Sequence, residues 1–270
     1  MQNLKPNDNK FVVPNTFIIG AAKAGTSSLA AMLGQHPEIL LSTPKETNFF
    51  QTGDYQHGLE WMAKKYFRGY NHEKVILDAS PDYMHLKYVT DRIEQSCTNP
   101  KFIFILREPI SRAYSQYAMF RDFRPGRMPA TFIAEINRNL NVFSENRFYC
   151  EYERMGNVDI KGGSYDPFII EQGLYYNDIA RYINRFGREN IYICTIEDLI
   201  HQTEKLVFEL LTFLGIGFYK FIKEKRNIGK AERFELSGPL SSELCRIYVP
   251  QVERVGKLIG RNLIEEWEMC

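Results

Sequence analysis

Cysteine is sparse. Cys97, Cys150, Cys194, Cys245 and Cys270 are scattered and odd in number, with no CxxC spacing, so neither a disulfide framework nor a zinc site is expected. The first ten residues are polar and lack the apolar core of a secretory signal, and no run approaches the roughly 18 apolar residues of a membrane span. The cytosol is therefore the expected compartment. Excess charge of one sign is also missing: 34 Lys and Arg face 33 Asp and Glu, a formal net charge of +1. That balance gives no general electrostatic reason to bind nucleic acid or an anionic membrane, so any anion site must be local. Internal repeats and low-complexity tracts are absent, which excludes solenoid and fibrous architectures.

What remains is an ordinary globular chain of 270 residues, 44% hydrophobic and 25% charged, read as one domain over 1–270. The segment 1–13 reads as a loose N-terminal lead. An apolar run closing at Phe17–Gly20 gives way to small residues and then to Ser28–Leu33, the pattern of strand, tight loop and helix. Further strands are expected at Val75–Leu77, Lys101–Leu106 and Ile191–Cys194. Lys101–Leu106 is almost continuously apolar, as a strand buried on both faces should be. Helices are expected over Ser111–Phe120, Tyr175–Phe186 and Thr203–Leu214, the last ended by Gly215, and one or two more over Ser241–Trp267, interrupted or started by Pro250. The alternation predicts an α/β fold: a single P-loop-type domain with a central, mainly parallel sheet flanked by helices. Residues 121–164 have weaker periodicity and read as an insertion or substrate lid, with a helix near Ala130–Asn139.

Gly20-Ala21-Ala22-Lys23-Ala24-Gly25-Thr26-Ser27 has the glycine spacing of a nucleotide triphosphate loop in the right strand-to-helix context. An ATPase or GTPase loop places lysine directly after the second glycine; here that position is Thr26, and the lysine is Lys23. Small residues at Ala24 and Gly25 still let peptide N–H groups face an anion, with the helix dipole behind them. Thr26, Ser27 and Ser28 offer hydroxyl donors, and Lys23 can meet charge that develops on a bridging oxygen. Taken alone, the loop fits ATP as well as another phosphate donor. Arg107, at the end of the third expected strand, and Ser115, two helical turns later, can converge on a second phosphate, the arginine through its planar fork of donors.

Together, Lys23-Ala24-Gly25-Thr26-Ser27 and Leu106-Arg107-Glu108-Pro109 through Ser115-Gln116-Tyr117 resemble the two nucleotide-binding elements of sulfotransferases that use 3′-phosphoadenosine 5′-phosphosulfate (PAPS). The resemblance is strongest to the heparan sulfate N- and O-sulfotransferase branch and its bacterial relatives. It extends through Pro44–Phe50, Ser80–Tyr83 and Gly173–Tyr176, and covers nearly the whole chain from Pro14 to Trp267. It implies that Lys23, Ala24, Gly25, Thr26, Ser27 and Ser28 hold the 5′-phosphosulfate, that Arg107 and Ser115 hold the 3′-phosphate, and that a basic loop containing Arg226, Gly229 and Lys230 closes over the nucleotide. It also implies that Glu46 is the general base. The small-molecule branch uses a histidine base instead, which makes His85 the fallback. No metal is expected, because a singly charged sulfuryl group does not require one.

One departure bears on the acceptor. Heparan sulfate enzymes carry lysine directly before the element matching Ser80–Tyr83, and this chain has Ala79 there. A cationic contact is missing or supplied elsewhere, which argues for a small-molecule hydroxyl or amine acceptor over a polysaccharide. The competing readings are a P-loop kinase or nucleotide hydrolase using ATP and magnesium, and a non-catalytic nucleotide-binding scaffold. Oligomeric state is not legible.

Overall fold

Side chains along a strand alternate between faces, and Lys101–Leu106 shows what that does to the core. Phe102, Phe104 and Leu106 pack on one side of the sheet with Phe17 and Ile19, while Ile103 and Ile105 pack on the other with Ile18. Both faces are covered, which is why the run carries no polar alternation. The aromatic side is dense: Phe102 stacks on Phe17 at 5.5 Å between centroids and meets Tyr182 edge-on at 4.9 Å. The opposite side is aliphatic, with Leu29, Leu33, Leu206, Leu210 and Leu211 against the isoleucines.

The structure, a computed structural model, describes residues 11–123, 126, 128–141, 143, 168–221 and 236–269. In chain order its elements are β1 (Thr16–Gly20), α1 (Thr26–Leu33), β2 (Ile39–Leu41), α2 (Leu59–Tyr66), β3 (Val75–Asp78), α3 (Lys87–Ser96), β4 (Lys101–Leu106), α4 (Pro109–Phe123), α5 (Phe132–Leu140), α6 (Tyr175–Phe186), β5 (Ile191–Thr195), α7 (Ile196–His201), α8 (Thr203–Leu214), α9 (Pro239–Ile259) and α10 (Leu263–Glu266). The sheet is parallel throughout, in the order β2-β3-β1-β4-β5. Because β1 is central and the chain leaves it first to one side and then to the other, the carboxyl ends of β3, β1 and β4 open into a crevice at the topological switch point.

The expected α/β architecture is the observed one. Additional elements are β2, α2, α3 and the short α7, which begins at a capping box: Asp198 N–H donates to Thr195 Oγ1 (3.3 Å) and Thr195 N–H to Asp198 Oδ2 (2.8 Å). Pro250 neither starts nor interrupts a helix but lies inside α9. A helix does occupy Phe132–Leu140; most of the remaining expected lid lies outside the described residues.

The cysteines require a correction. Cys97 and Cys194 are buried free thiols, but Cys245, on α9, is disulfide-bonded, and its partner lies outside the described residues. Cysteine spacing gave no sign of this bond, and a disulfide persists in oxidising rather than reducing surroundings. When the unfolded but unreduced protein is alkylated and mapped by mass spectrometry, Cys97 and Cys194 are expected to be tagged and Cys245 to be protected. Tagging of Cys245 without reductant would overturn the linkage.

Candidate active site

The loop after β1 is built from residues that leave room. Ala21 and Ala24 are fully buried, Ala21 N–H donates to Ile105 C=O (2.7 Å), and Ala24 N–H closes a tight turn onto Ala21 C=O (3.1 Å). Gly25 then adopts φ 99° as the N-cap of α1, a left-handed conformation that side chains disfavour, and a Cβ there would sit 3.2 Å from Leu199 Cδ2. No side chain caps α1 and no acidic residue occupies its first turn, so its positive end is neither screened nor consumed. Thr26 is buried, Ser27 exposed and Ser28 half-buried around that end.

Arg107 leaves the carboxyl end of β4 with 7% of its surface exposed and donates from Nη1 to Lys23 C=O (3.3 Å). Its sequence neighbour Glu108 is engaged elsewhere, accepting from Ile110 N–H (2.7 Å) and Ser111 N–H (2.6 Å) to cap α4. Tyr175 OH, buried at the start of α6, donates to Arg107 C=O (2.7 Å) and fixes the backbone from behind. Lys23 is half-buried, with Nζ 3.4 Å from Met119 Sδ. Burial, and then the nearby Arg107 charge, hold its ammonium below the ordinary lysine pKa, while Glu46 acts in the opposite direction. Burial likewise lowers the pKa of Arg107. Among the described residues neither cation has a salt bridge.

Glu46 follows β2 on a segment pinned to the turn after β3. Ala79 N–H donates to Lys45 C=O (3.4 Å), and Asn48 N–H to Ser80 Oγ (3.1 Å). The Glu46 carboxylate is 44% exposed and pairs with Lys45 Nζ (2.7 Å), which also donates to Ser27 Oγ (3.1 Å). Lys45 therefore ties Glu46 to the phosphate loop. Half-buried Asp82 lies close enough to feel that carboxylate: burial first, then the Glu46 charge, raise its pKa.

The structure thus brings Arg107 and Glu46 each within electrostatic reach of Lys23 at the carboxyl edge of the sheet, with Ser27 joined to Glu46 through Lys45. Ser115 is half-buried on α4. Arg226, Gly229 and Lys230 lie outside the described residues. His85 is 2% exposed, with Nδ1 2.6 Å from Asp178 Oδ2, and Arg181 Nη1 reaches the other Asp178 oxygen at 2.8 Å; the imidazole is packed into the core rather than presented to solvent. Sequence reasoning missed Lys45, Tyr175 and the buried carboxylate of Asp78. Lys45 and Tyr175 carried a signal only as members of Pro44–Phe50 and Gly173–Tyr176.

The sulfotransferase domain model matches residues 13–234. A sulfotransferase from Alicyclobacillus acidocaldarius superposes with a TM-score of 0.73 at 26% identity, over 95% of this chain and 99% of that one. Membrane-associated sulfotransferase kil1 of Dictyostelium discoideum is 23% identical across 95% of this chain and 67% of its own length. Heparan sulfate glucosamine 3-O-sulfotransferase 5 of Mus musculus is 35% identical over 106 residues, 39% of this chain and 30% of that protein. Among the described residues no helix is long and apolar enough to cross a membrane. With the family match running from the strand that carries the phosphate loop past α8, the chain belongs to the sulfotransferase domain family.

Proposed function

We infer that the enzyme transfers the sulfuryl group of PAPS in line to a hydroxyl or amine of a small acceptor, with Glu46 as general base. The observation that carries this reading is a buried Arg107 beside a half-buried Lys23, neither in a salt bridge with a carboxylate among the described residues. Cations taken out of water call for an anion, and these two flank a helix N-terminus already suited to one. Lys23 with Thr26, Ser27 and Ser28 takes the phosphosulfate end, and Arg107 with Ser115 the 3′-phosphate. As the acceptor attacks, Glu46 takes its proton, and the Lys23 ammonium stabilises the charge growing on the leaving phosphate.

The acceptor side supports a small molecule over a sulfated polymer. Ala79 is fully buried, and the exposed carboxylate of Glu46 with Asp82 nearby repels a polyanion, an effect Lys45 only partly offsets. Titration calorimetry with adenosine 3′,5′-bisphosphate, ATP and GTP tests the donor assignment. The bisphosphate is expected to bind tightly and without magnesium; preference for ATP would sink it. A screen of hydroxyl and amine compounds with labelled PAPS then identifies the acceptor.

A further inference from the structure

Three consecutive peptide N–H groups follow the Glu46–Thr47 step, and each ends on a hydroxyl. Asn48 N–H donates to Ser80 Oγ (3.1 Å), Phe49 N–H to Thr47 Oγ1 (3.2 Å) and Phe50 N–H to Tyr83 OH (3.1 Å). Each hydroxyl keeps a proton of its own to give, and all three meet one carboxylate. Ser80 Oγ lies 2.7 Å from Asp78 Oδ1, while Thr47 Oγ1 and Tyr83 OH lie 2.6 and 3.1 Å from Oδ2. Asp78, Ser80 and Tyr83 are fully buried and Thr47 nearly so. On the other side of Glu46, Lys45 C=O receives Ser42 Oγ (2.7 Å) as well as Ala79 N–H.

We propose that Asp78 is a positioning residue for the general base: through the hydroxyls of Ser80, Thr47 and Tyr83 its carboxylate fixes the backbone that follows Glu46 and so sets where the Glu46 carboxylate stands. The proposal rests on the reading of Glu46 as base. An ionised carboxylate is the one side chain of this size that only accepts hydrogen bonds. Protonation, or replacement by an amide, places a donor among donors, so that at least one hydroxyl loses its acceptor and must reorient, which weakens its alignment with the peptide N–H it accepts. The charge also opposes stability. Burial raises the Asp78 pKa to about 6 despite the three hydroxyl donors. A raised carboxylate pKa means that this group's contribution is most favourable below the usual carboxylate range and is lost as pH rises through about 6. A buried charge retained at neutral pH against that gradient fits a role in catalysis better than one in folding. The titratable groups facing Asp78 are Tyr83 and, from the end of α3, the Cys97 thiol; both are pushed up by burial and stay neutral there.

Asp78→Asn is expected to lower kcat roughly 10- to 100-fold, the penalty for a misplaced reacting group, with the affinity for adenosine 3′,5′-bisphosphate unchanged. It should also remove the part of the wild-type acid limb centred near pH 6. Ser80→Ala, a milder change that tests the relay where Asp78→Asn fails to fold, should lower kcat several-fold and add nothing in the Asp78→Asn background. Wild-type kcat in both variants, additive losses, or a parallel loss of nucleotide affinity would overturn the proposal. Glu46→Gln separates it from the reading beneath: an active Glu46→Gln removes both, whereas an inactive Glu46→Gln beside a fully active Asp78→Asn overturns the relay alone.

Discussion

Glu46→Gln is expected to lower kcat by about 10²- to 10⁴-fold, the usual contribution of a positioned general base, while leaving the affinity for adenosine 3′,5′-bisphosphate essentially unchanged. The substitution keeps the size of the side chain and removes its basicity. Glu46 is exposed and its hydrogen-bonded link to the phosphate loop runs through Lys45, so the core does not depend on its charge. Loss of that charge also withdraws the one influence that raises the Lys23 pKa, which should move the alkaline limb of nucleotide binding slightly downward. Stopped-flow turnover with labelled PAPS and the best acceptor, beside calorimetry with the bisphosphate, separates the two effects. Wild-type turnover in the variant would remove Glu46 as base, and a matching loss of nucleotide affinity would recast it as a binding residue.

The sheet was legible because its central strands are buried on both faces. Lys101–Leu106 is such a strand; the edge strand β5 was legible from its apolar Ile191–Cys194 run, and the helices Tyr175–Phe186 and Thr203–Leu214 agree with their predicted limits. β2 was not legible: three residues, Ile39–Leu41, on an edge and with only one strand neighbour, are too short for a period to declare itself. The Cys245 disulfide was hidden as well, since five scattered cysteines without a CxxC spacing declare no pairing.

Of the candidate site, the parts written in contiguous residues could be read. Gly25 betrays itself because only glycine suits a left-handed N-cap pressed against Leu199, and Arg107 because it ends a strand. Asp78 could not be read, although it too ends a strand. Its partners Thr47, Ser80 and Tyr83 come from two segments, and only the parallel pairing of β2 with β3 brings those segments together. Lys45 was visible only as a member of Pro44–Phe50. Its pairing with Glu46 together with its contact to Ser27 makes it part of the loop.

Arg107→Ala is expected to weaken adenosine 3′,5′-bisphosphate by roughly 10- to 100-fold, the range set by one charge-assisted hydrogen-bonding group worth about 1.5–3 kcal/mol. Adenosine 5′-phosphate, which lacks the 3′-phosphate, should lose far less. The contrast matters because Arg107 also donates to Lys23 C=O, so its removal could loosen the first loop and weaken both ligands alike. Equal weakening would therefore reject the 3′-phosphate contact and leave Arg107 as a brace for the loop. A second readout distinguishes charge from bracing. Arg107 lowers the Lys23 pKa by repulsion, so Arg107→Ala should raise it and move the alkaline limb of nucleotide binding to higher pH. Arg107→Lys keeps the charge but not the fork, and is expected to leave that limb near its wild-type position while recovering only part of the lost affinity. Full recovery by lysine would mean that the site reads charge alone, without the paired donors that the guanidinium at the end of β4 supplies.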